Sequence, residues 1–484
     1  MTLKIYNTLS KQAEEFKPMN ENEVTMYSCG PTVYDYVHIG NLRTFMMADF
    51  LRRTLLFSGY NVKHIKNITD VGHLTQDDIE AGEDKMMKAA KRESKDPYDI
   101  ARFYEETFHQ DEAKLNILPA HVFPRATEYV EQMIAIIEKL IEKGYAYEVN
   151  GSVYYDVDKF PDYGKLSGNT LENLKVGARL EANPEKKHPY DFALWLKTGE
   201  EHLMRWKSPW STGYPGWHIE CSAMSITNLG ETLDIHTGGE DNVFPHHEDE
   251  IAQSEGATGK KFVNYWVHAR FLLVNGEKMS KSKGNFYTLR DLEAKGFNPL
   301  AFRYLCLTAH FQSQLNLSWQ SLEDSENALD KLFSFISSVD AREEGKVSEE
   351  YAQKFQSALE DNLDTPRAIA LLWELIKNKE VSDIDKKTTL LKFDEVLGLG
   401  LADVSTIETE TLTITIASPE NRTITIRNST GDIISADTLN LIQERETARI
   451  AKDFDTSDRL RDELKAKSYS IGDTPEGLEI TKIK

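Results

Sequence analysis

MYSCGPTVYDYVHIGN, residues 26–41, joins the end of a predicted strand to the start of a predicted helix. We expect a short buried strand at residues 24–30 and, after PTVYDYV, a helix from His38 to about Phe57. A second strand at residues 61–68 would complete a β-α-β unit of a doubly wound α/β sheet. Ligands of such sheets bind beyond the carboxyl ends of the strands. The pattern therefore predicts a nucleotide at the first loop and the helix N-terminus.

The residues HIGN at positions 38–41 are the first candidate for phosphate binding. Free backbone N–H groups and the positive end of the dipole favour an anion at a helix start. Gly40 would allow a nucleotide to approach the backbone, while His38 and Asn41 could donate to phosphate oxygens. A helix-start histidine with no functional role is the alternative, and these four residues alone leave it open.

A lysine-rich segment, KMSKSKGN at residues 278–285, follows Asn275 and Gly276 far downstream. The chain carries a formal net charge of −22, so closely spaced ammonium groups on small residues stand out against it. They predict a mobile cationic clamp suited to a triphosphate, with Lys278 and Lys281 as its charges. A solvated basic turn is the alternative for such a loop on its own.

Composition limits the class of protein. With 484 residues, 40% hydrophobic and 28% charged, the chain has the composition of a globular protein of several domains. The net negative charge argues against indiscriminate binding of polyanions, so a nucleic-acid surface must be a local patch. The most apolar stretches fall short of the ~20 residues that span a membrane, and the N-terminus lacks an apolar signal region. We therefore expect a cytoplasmic protein with no membrane partner.

The cysteines suggest a metal site. Three cysteines are too few and too far apart for a disulfide framework. Cys29 ends the first strand, Cys221 lies in GWHIECSAM, and His246 and Glu250 share one helical face in HHEDE. Two thiolates, an imidazole and a carboxylate would suit zinc. From spacing alone, a buried structural cysteine is the commoner outcome, and we expect that role for Cys306.

HIGN and KMSKS, in this order, resemble the two signatures of class I aminoacyl-tRNA synthetases. The second signature is matched in full. The first ends in Asn41 instead of histidine, a familiar family variant that keeps a hydrogen-bond donor. Together with GWHIECSAM and FPHHEDEIAQSE, these segments resemble cysteinyl-tRNA synthetases over nearly the whole chain.

The resemblance implies a reaction and its site. Cysteine is activated by ATP with Mg²⁺ to cysteinyl-adenylate and then transferred to the 3′ end of tRNA(Cys), so L-cysteine, ATP and tRNA(Cys) are the implied partners. The implied ATP-binding residues are His38, Gly40, Asn41, Lys278 and the principal lysine, Lys281. The implied cysteine pocket is Thr69, Trp217 and Asp241. One zinc ion would be held by Cys29, Cys221, His246 and Glu250, with the substrate thiolate bound to it directly.

The same resemblance implies a domain order. A Rossmann-like catalytic domain is split by an insertion and followed by a helical bundle and an anticodon-binding module. The expected ranges are 1–120 and 201–290 for the catalytic halves, 121–200 for the connective insertion, 291–320 for a stem-contact region, 321–400 for the bundle, 401–437 for a hairpin-like insertion and 438–484 for the last module. Family members are usually monomers in bacteria. Candidate tRNA contacts are Arg449, Lys452, Arg459 and Arg461, each with a solvated mixed-charge helix as the alternative.

Local patterns predict further elements. A helix at residues 126–143 ends at Gly144, and Asn150 and Gly151 indicate a type I′ hairpin. The central sheet should resume at Leu233–His236 and at Tyr265–Val274. Asn298 and Thr365 precede prolines as helix N-caps, residues 411–427 alternate as a β-hairpin, and one helix should cover about Thr438–Lys467.

Two rival functions remain. A related ligase uses the same zinc and adenylate chemistry to attach cysteine to an amino sugar, but it resembles a synthetase shortened at the C-terminus, whereas this chain has the full tail. A non-catalytic tRNA-binding paralogue would be expected to lose motif residues, and here the four zinc positions and the lysine loop are present.

Overall fold

The computed structural model describes most of the chain. The described residues are 2–72, 74–76, 81–170, 172–173, 183–200, 202–280, 284–339, 345–404, 410–415, 423–428, 436–467, 469–474 and 477–482. The chain divides into two compact units. The first consists of Met1–Leu332 and Gly345–Leu401, and the second of Phe333–Glu344 and Ala402–Lys484. Lys281 and, within the insertion predicted at residues 401–437, residues 405–409, 416–422 and 429–435 lie outside the described residues.

The strands are numbered in chain order. They are β1 (Lys4–Asn7), β2 (Gln12–Glu15), β3 (Glu23–Ser28), β4 (Asn61–Lys66), β5 (Leu74–Gln76), β6 (Ala81–Asp84), β7 (Ala146–Val149), β8 (Ser152–Tyr155), β9 (Phe192–Lys197), β10 (Trp206–Lys207), β11 (Thr212–Pro215), β12 (Leu233–Gly239), β13 (Val263–Ala269), β14 (Leu272–Val274), β15 (Glu277–Lys278), β16 (Leu315–Leu317), β17 (Glu410–Thr415), β18 (Thr423–Asn428), β19 (Tyr469–Thr474) and β20 (Gly477–Lys482).

The helices follow the same convention. They are α1 (Ile39–Phe57), α2 (Lys85–Glu93), α3 (Pro97–Lys114), α4 (Val130–Glu142), α5 (Trp217–Leu229), α6 (Glu248–Thr258), α7 (Leu289–Ala294), α8 (Pro299–Leu307), α9 (Trp319–Ser338), α10 (Glu349–Glu360), α11 (Thr365–Lys377), α12 (Asp383–Leu397), α13 (Ala436–Ile450) and α14 (Phe454–Ala466). Among the described residues, no helix combines the length and the apolar character that crossing a membrane requires.

A parallel four-stranded sheet in the order β13-β12-β3-β4 forms the centre of the first unit. Helix α1 connects β3 to β4, which confirms the predicted β-α-β unit. Strands β3 and β12 are neighbours although about two hundred residues separate them in sequence, and Ile235 pairs with Met26. The loops after these two strands therefore leave the same edge of the sheet, where α/β sheets bind ligands.

The two faces of this sheet pack in different hydrophobic clusters. Met26 and Ile235 are buried with Met47 and Leu51 of α1 on one face. Tyr27, the next residue along β3, is buried in the cluster on the other face, which includes residues of α4, α5 and α6. Successive side chains of a strand point to opposite faces, and because both faces of a parallel sheet are covered by helices, β3 is apolar on both sides.

An antiparallel sheet in the order β10-β11-β9-β8-β7 lies between the two halves of the parallel sheet in sequence. Strands β7 and β8 form the predicted hairpin. Its turn residues, Asn150 and Gly151, have φ angles of 53° and 93°. Positive φ at both central positions is what a type I′ turn requires, which accounts for the Asn-Gly pair.

The expectation of one strand over Tyr265–Val274 was wrong. Strand β13 ends at Ala269, and β14 belongs to a separate sheet with β15 and β16. The chain leaves the first ladder because Arg270 N donates to the carbonyl of Phe311 and Phe271 N donates to the Glu240 carboxylate at 2.6 Å. Sequence alternation could not show these long-range partners.

Two helix predictions also need correction. Asn298 caps α8 as expected, but the N-cap of α11 is Asp364, whose carboxylate accepts from Arg367 N, and Thr365 is already helical. The single helix expected over Thr438–Lys467 is two helices, α13 and α14, broken where Lys452 adopts a left-handed φ of 62°. Asp453 then caps α14 by accepting from Thr456 N.

The second unit contains two antiparallel hairpins besides α13 and α14. Strands β17 and β18 pair from Glu410 opposite Asn428 to Thr415 opposite Thr423, which confirms the hairpin predicted from the alternation at residues 411–427. Strands β19 and β20 form the other hairpin.

A buried arginine connects α1 to distant parts of the first unit. Arg303 of α8 is fully buried and donates to Asp49 of α1 at 2.6 Å. It also donates to the carbonyls of Leu397 at 2.6 Å and Leu115 at 2.8 Å. Burial alone would raise the pKa of Asp49, but Arg303 and Arg53 outweigh it and lower that pKa. The ion pair therefore holds the middle of the candidate nucleotide helix in place.

Candidate active site and metal cluster

Two hydrogen bonds within the protein hold the start of α1. His38 is the N-cap, and its Nδ1 accepts from Asn41 N at 3.2 Å. Ile39 N donates to the carbonyl of Tyr287 at 2.9 Å. These two N–H groups are therefore already bonded within the protein, so a phosphate would have fewer free amides at this helix start than the sequence predicts. Because Nδ1 accepts, a neutral His38 ring carries its proton on Nε2, the atom suited to donate to a phosphate oxygen.

The structure brings the two signature segments into contact. A Cβ built on Gly40 would lie 2.6 Å from Cε of Met279, so the glycine makes room for the methionine of the lysine-rich loop. The ring of Phe286 lies edge-on to His38, with 5.0 Å between ring centroids. Sequence reasoning placed both segments at one nucleotide but gave no sign of this direct packing.

Hydrogen bonds connect described residues on the two sides of Lys281. Ser280 N donates to the Asn285 side chain at 2.8 Å, and the Asn285 amide donates to the Lys278 carbonyl at 3.2 Å. Lys278 is exposed at the end of β15, with Nζ 3.8 Å from the centroid of the Phe271 ring. Lys281 lies outside the described residues. Asn285 therefore bonds to both Lys278 and Ser280, which precede Lys281 in the sequence.

The four candidate metal ligands meet at the carboxyl ends of β3 and β12. Cys29 follows β3, Cys221 lies on α5, Glu250 lies on α6, and His246 is in the π-helical turn Val243–His247 before α6. Their ligand atoms all lie within 4.8 Å of one another. His246 Nε2 is 3.5 Å from Cys221 Sγ and 3.1 Å from a Glu250 oxygen. This buried cluster of two cysteines, a histidine and a glutamate is compatible with a metal site.

The electrostatics of the cluster fit a cation. Burial raises the pKa of the Cys29 thiol well above its usual value, whereas a hydrogen bond from Cys29 lowers the pKa of Cys221. The two cysteines are therefore shifted in opposite directions, so Cys221 is the sulfur that ionises more readily. A divalent ion would let both sulfurs ionise, since thiolates are the form that binds metals.

Glu250 is the acidic member of the cluster. Burial would raise the pKa of its carboxyl, but His236 and His246 lower it to about 2. His236 Nε2 lies 2.9 Å from the second Glu250 oxygen. The carboxylate is thereby kept ionised and oriented, as a metal-binding carboxylate needs to be.

Sequence reasoning missed a group of histidines behind the cluster. His236, His247 and Glu250, together with Cys29, form a second set whose ligand atoms lie within 4.8 Å of one another. His247 Nδ1 and His268 Nε2 are 2.8 Å apart. Burial lowers the pKa of His247 and His268, the latter to about 3, so both rings are neutral. The doubled histidine in HHEDE was the one available signal.

The three residues expected for the cysteine pocket differ in their surroundings. The Trp217 ring lies next to the cluster, 4.5 Å from the His246 ring between centroids. Burial raises the pKa of Asp241, which follows β12, while the charge of Lys278 acts in the opposite direction. The Thr69 hydroxyl donates to the carboxylate of Glu220 at 2.8 Å. Glu220 is the residue directly before Cys221 in the sequence. Glu220, fully buried, was not among the sequence candidates.

The candidate tRNA contacts all lie in the second unit. Arg449 is in the last turn of α13, and Lys452 is exposed in the break after it. Arg459 and Arg461 are exposed on α14, where Arg459 pairs with Glu463 at 3.4 Å. Because the chain breaks between α13 and α14, the four residues lie on two helices and the link between them instead of on one helix.

Comparison with known proteins gives consistent matches. A family model described as "tRNA synthetases class I (C) catalytic domain" matches residues 15–327. The Cysteine--tRNA ligase of Treponema denticola is 42% identical over 499 residues, covering 98% of both chains. That of Chlorobium chlorochromatii is 44% identical over 489 residues, covering 99% of this chain and 98% of the relative.

A solved structure shares the fold. Mycobacterium tuberculosis methionyl-tRNA synthetase in complex with methionyl-adenylate matches with a TM-score of 0.53 at 16% identity, covering 80% of this chain and 92% of that chain. At this identity the likeness concerns the fold alone.

Proposed function

The chain belongs to the cysteine--tRNA ligases of the class I tRNA synthetase family, and from this premise we propose how its residues activate cysteine and transfer it to tRNA. The cysteine carboxylate attacks the α-phosphate of ATP, releasing pyrophosphate and leaving cysteinyl-adenylate. The terminal ribose of tRNA(Cys) then attacks the activated carbonyl. The reaction needs no protein nucleophile, so the side chains act by positioning and by stabilising charge.

The observation that carries the proposal is the cluster of Cys29, Cys221, His246 and Glu250 beside the Trp217 ring. The cluster lies at the carboxyl ends of β3 and β12, and α1 begins after β3 at the same edge of the sheet. Amino-acid selection and phosphate binding are therefore assigned to neighbouring parts of one cleft.

We assign zinc to the cluster because two thiolates with an imidazole are ligands that zinc prefers. Bound there, zinc would supply a soft ion with affinity for the substrate sulfur, which the hydroxyl of serine does not match. A hundredfold preference corresponds to about 2.8 kcal/mol, and shape alone separates such close analogues poorly. Asp241 and Thr69 are assigned to the substrate beside it, Asp241 facing the ammonium group.

The phosphate half of the site is assigned to the contacting signature segments. His38 Nε2 and the Asn41 side chain face the phosphates from one side, and Lys278 with Lys281 completes the cage from the other. Packing of Met279 against Gly40 couples the closing of the loop to the helix start. Mg²⁺ enters with ATP.

The second unit is assigned to the tRNA. The relatives align over 98% or more of this chain, so the likeness includes this unit. Exposed arginines such as Arg461 are suited to reading base edges through paired donors, and Lys452 is suited to phosphate.

The test is ATP–pyrophosphate exchange with cysteine and with serine, before and after chelation, followed by tRNA charging. We expect Cys221→Ser to lose metal and cysteine-dependent exchange, while Cys306→Ser, a matched change of another buried cysteine, keeps both. A purified protein that is metal-free yet fully selective for cysteine would refute the zinc assignment. Exchange without tRNA charging would refute the second step.

A further inference from the structure

A second cluster of metal-ligating side chains lies in the inserted antiparallel sheet. Asp156 directly follows β8, Asp191 directly precedes β9, and His188 lies three residues before Asp191. One ligand atom from each of these three residues lies within 4.8 Å of the others. Asp156 is 4% exposed and Asp191 2% exposed, whereas His188 is half-buried. The cluster shares no residue with the active site described above.

The Asp191 carboxylate is fixed in orientation by three donors. The backbone N–H groups of Val157 and His188 each donate to it at 3.1 Å, and the Tyr147 hydroxyl donates at 2.7 Å. Its Oδ2 lies 3.5 Å from Nδ1 of His188. Metal–ligand bonds of about 2.0–2.2 Å with tetrahedral angles place two donors about 3.4 Å apart, so this pair is already spaced for one ion.

Two buried atoms of the cluster lack the partners that such atoms normally have. Within the described part of the chain, Asp156 Oδ1 and His188 Nδ1 make no hydrogen bond. The other Asp156 oxygen accepts from Lys187 at 3.2 Å. Buried polar atoms are nearly always paired, and a cation between these two atoms would satisfy both.

The charge of the cluster also favours a divalent ion. A third carboxylate, that of Asp158, lies 3.5 Å from His188 Nε2. The Lys187 ammonium lies 3.2 Å from an Asp156 oxygen, and the Lys187 side chain is 52% exposed, so it can move into solvent. The buried carboxylates of Asp156 and Asp191 therefore bring more negative charge to the site than the Lys187 ammonium balances. Burial raises the pKa of Asp191, which reflects the poor solvation that a bound cation would relieve.

We propose that Asp156, His188 and Asp191 bind a divalent transition-metal ion, with water completing its coordination. The ion would join the end of β8 to the residues that lead into β9, and so stabilise the inserted sheet. Because the ligands are oxygen and nitrogen without sulfur, the site should accept Mn²⁺ as well as Zn²⁺, whereas the thiolate cluster should strongly prefer Zn²⁺. This difference makes the two sites separable.

The experiment measures bound metal on the full-length chain after chelation and reloading with Zn²⁺ or Mn²⁺. We expect the unmodified protein to bind one Zn²⁺ more than His188→Ala does, and Cys221→Ser to keep that additional ion. Paramagnetic resonance should show Mn²⁺ bound by the unmodified protein and by Cys221→Ser but not by His188→Ala. Glu148→Gln, which changes an exposed acid of the same hairpin, is the matched control and should bind normally.

Asp156→Asn provides a second ligand variant, and circular dichroism establishes that each variant is folded. The proposal is overturned when the unmodified protein holds no ion beyond the one lost in Cys221→Ser, or when folded His188→Ala and Asp156→Asn retain the additional ion. It is also overturned when Mn²⁺ binds only after Lys187→Met, since the lysine would then replace the ion in the native protein. These readouts do not depend on cysteine activation, so they are distinguishable from a failure of the proposed function.

Discussion

Replacing Arg303 by methionine should destabilise the first unit by about 3–5 kcal/mol, the usual cost of breaking a buried ion pair from one side. The carbonyls of Leu115 and Leu397 lose their guanidinium donor, and each buried group left unpaired costs about 1–3 kcal/mol. Asp49 is partly compensated, because Arg53 still donates to it at 2.9 Å. Such a loss is a large part of a typical free energy of unfolding of about 5–15 kcal/mol.

Tryptophan fluorescence during urea denaturation is the suitable assay. All seven tryptophans lie in the first unit, between Trp195 and Trp373, so their emission follows that unit and not the second. Arg303→Lys keeps a charge near Asp49, but its single nitrogen cannot reach the acceptors that three different guanidinium nitrogens contact, and we expect about half the loss. Arg102→Met removes an exposed pair with Asp99 in the same unit and should cost less than about 1 kcal/mol.

A midpoint for Arg303→Met within error of that for Arg102→Met would refute this reasoning. It would mean that water or rearranged side chains satisfy the carbonyls as well as the guanidinium does.

Three further predictions concern the active site and the pH dependence of stability. Gly40→Ala places a methyl group 2.6 Å from Met279, and adenylate formation should slow roughly tenfold, or about 1.4 kcal/mol, with an unchanged melting temperature; an unchanged rate of pyrophosphate exchange would contradict the coupling. Glu220→Gln should raise KM for cysteine more than it lowers kcat, because Glu220 orients Thr69; equal effects on cysteine and ATP would exclude that role. Glu105 and Glu112, each 3.8 Å from a ring nitrogen of His109, raise the pKa of this histidine to about 9. The contribution of His109 to stability is therefore complete below its unfolded pKa of about 6.5 and is lost as pH rises through about 9. His109→Gln should make the melting temperature depend less on pH over this interval, and parallel curves for the two proteins would argue against it.

The sequence predicted those parts of the fold that local patterns determine. The alternation and turn residues around Asn150 identified a hairpin, and the run after His38 identified α1. Pairing between β3 and β12 depends on residues about two hundred positions apart, and no local period contains it. The break after α13 was missed because Lys452 and Asp453 differ little from the charged residues around them, although an aspartate three residues before Thr456 is a typical N-cap arrangement.

The candidate site was predicted from the residues only in part. Motif order and the resemblance to a family, now confirmed by the comparisons, placed the candidate ligands. Spacing alone could not, since the ligands run from Cys29 to Glu250. His236 and His268 were overlooked because a histidine within an apolar strand looks like any other core residue. Their contacts appear only when the strands are side by side.

The long interval between Cys29 and Glu250 has a consequence for biosynthesis. A short zinc-finger peptide can capture its ion early and use it to organise the chain, but here the polypeptide must be synthesised beyond residue 250 before all four donors exist. Bringing Cys29 and Glu250 together costs conformational entropy, and the contacts of the assembled sheet offset this cost. An ion bound by these four side chains would therefore enter a nearly finished domain, and we expect scarcity of metal during translation to yield folded protein that lacks the ion rather than aggregates.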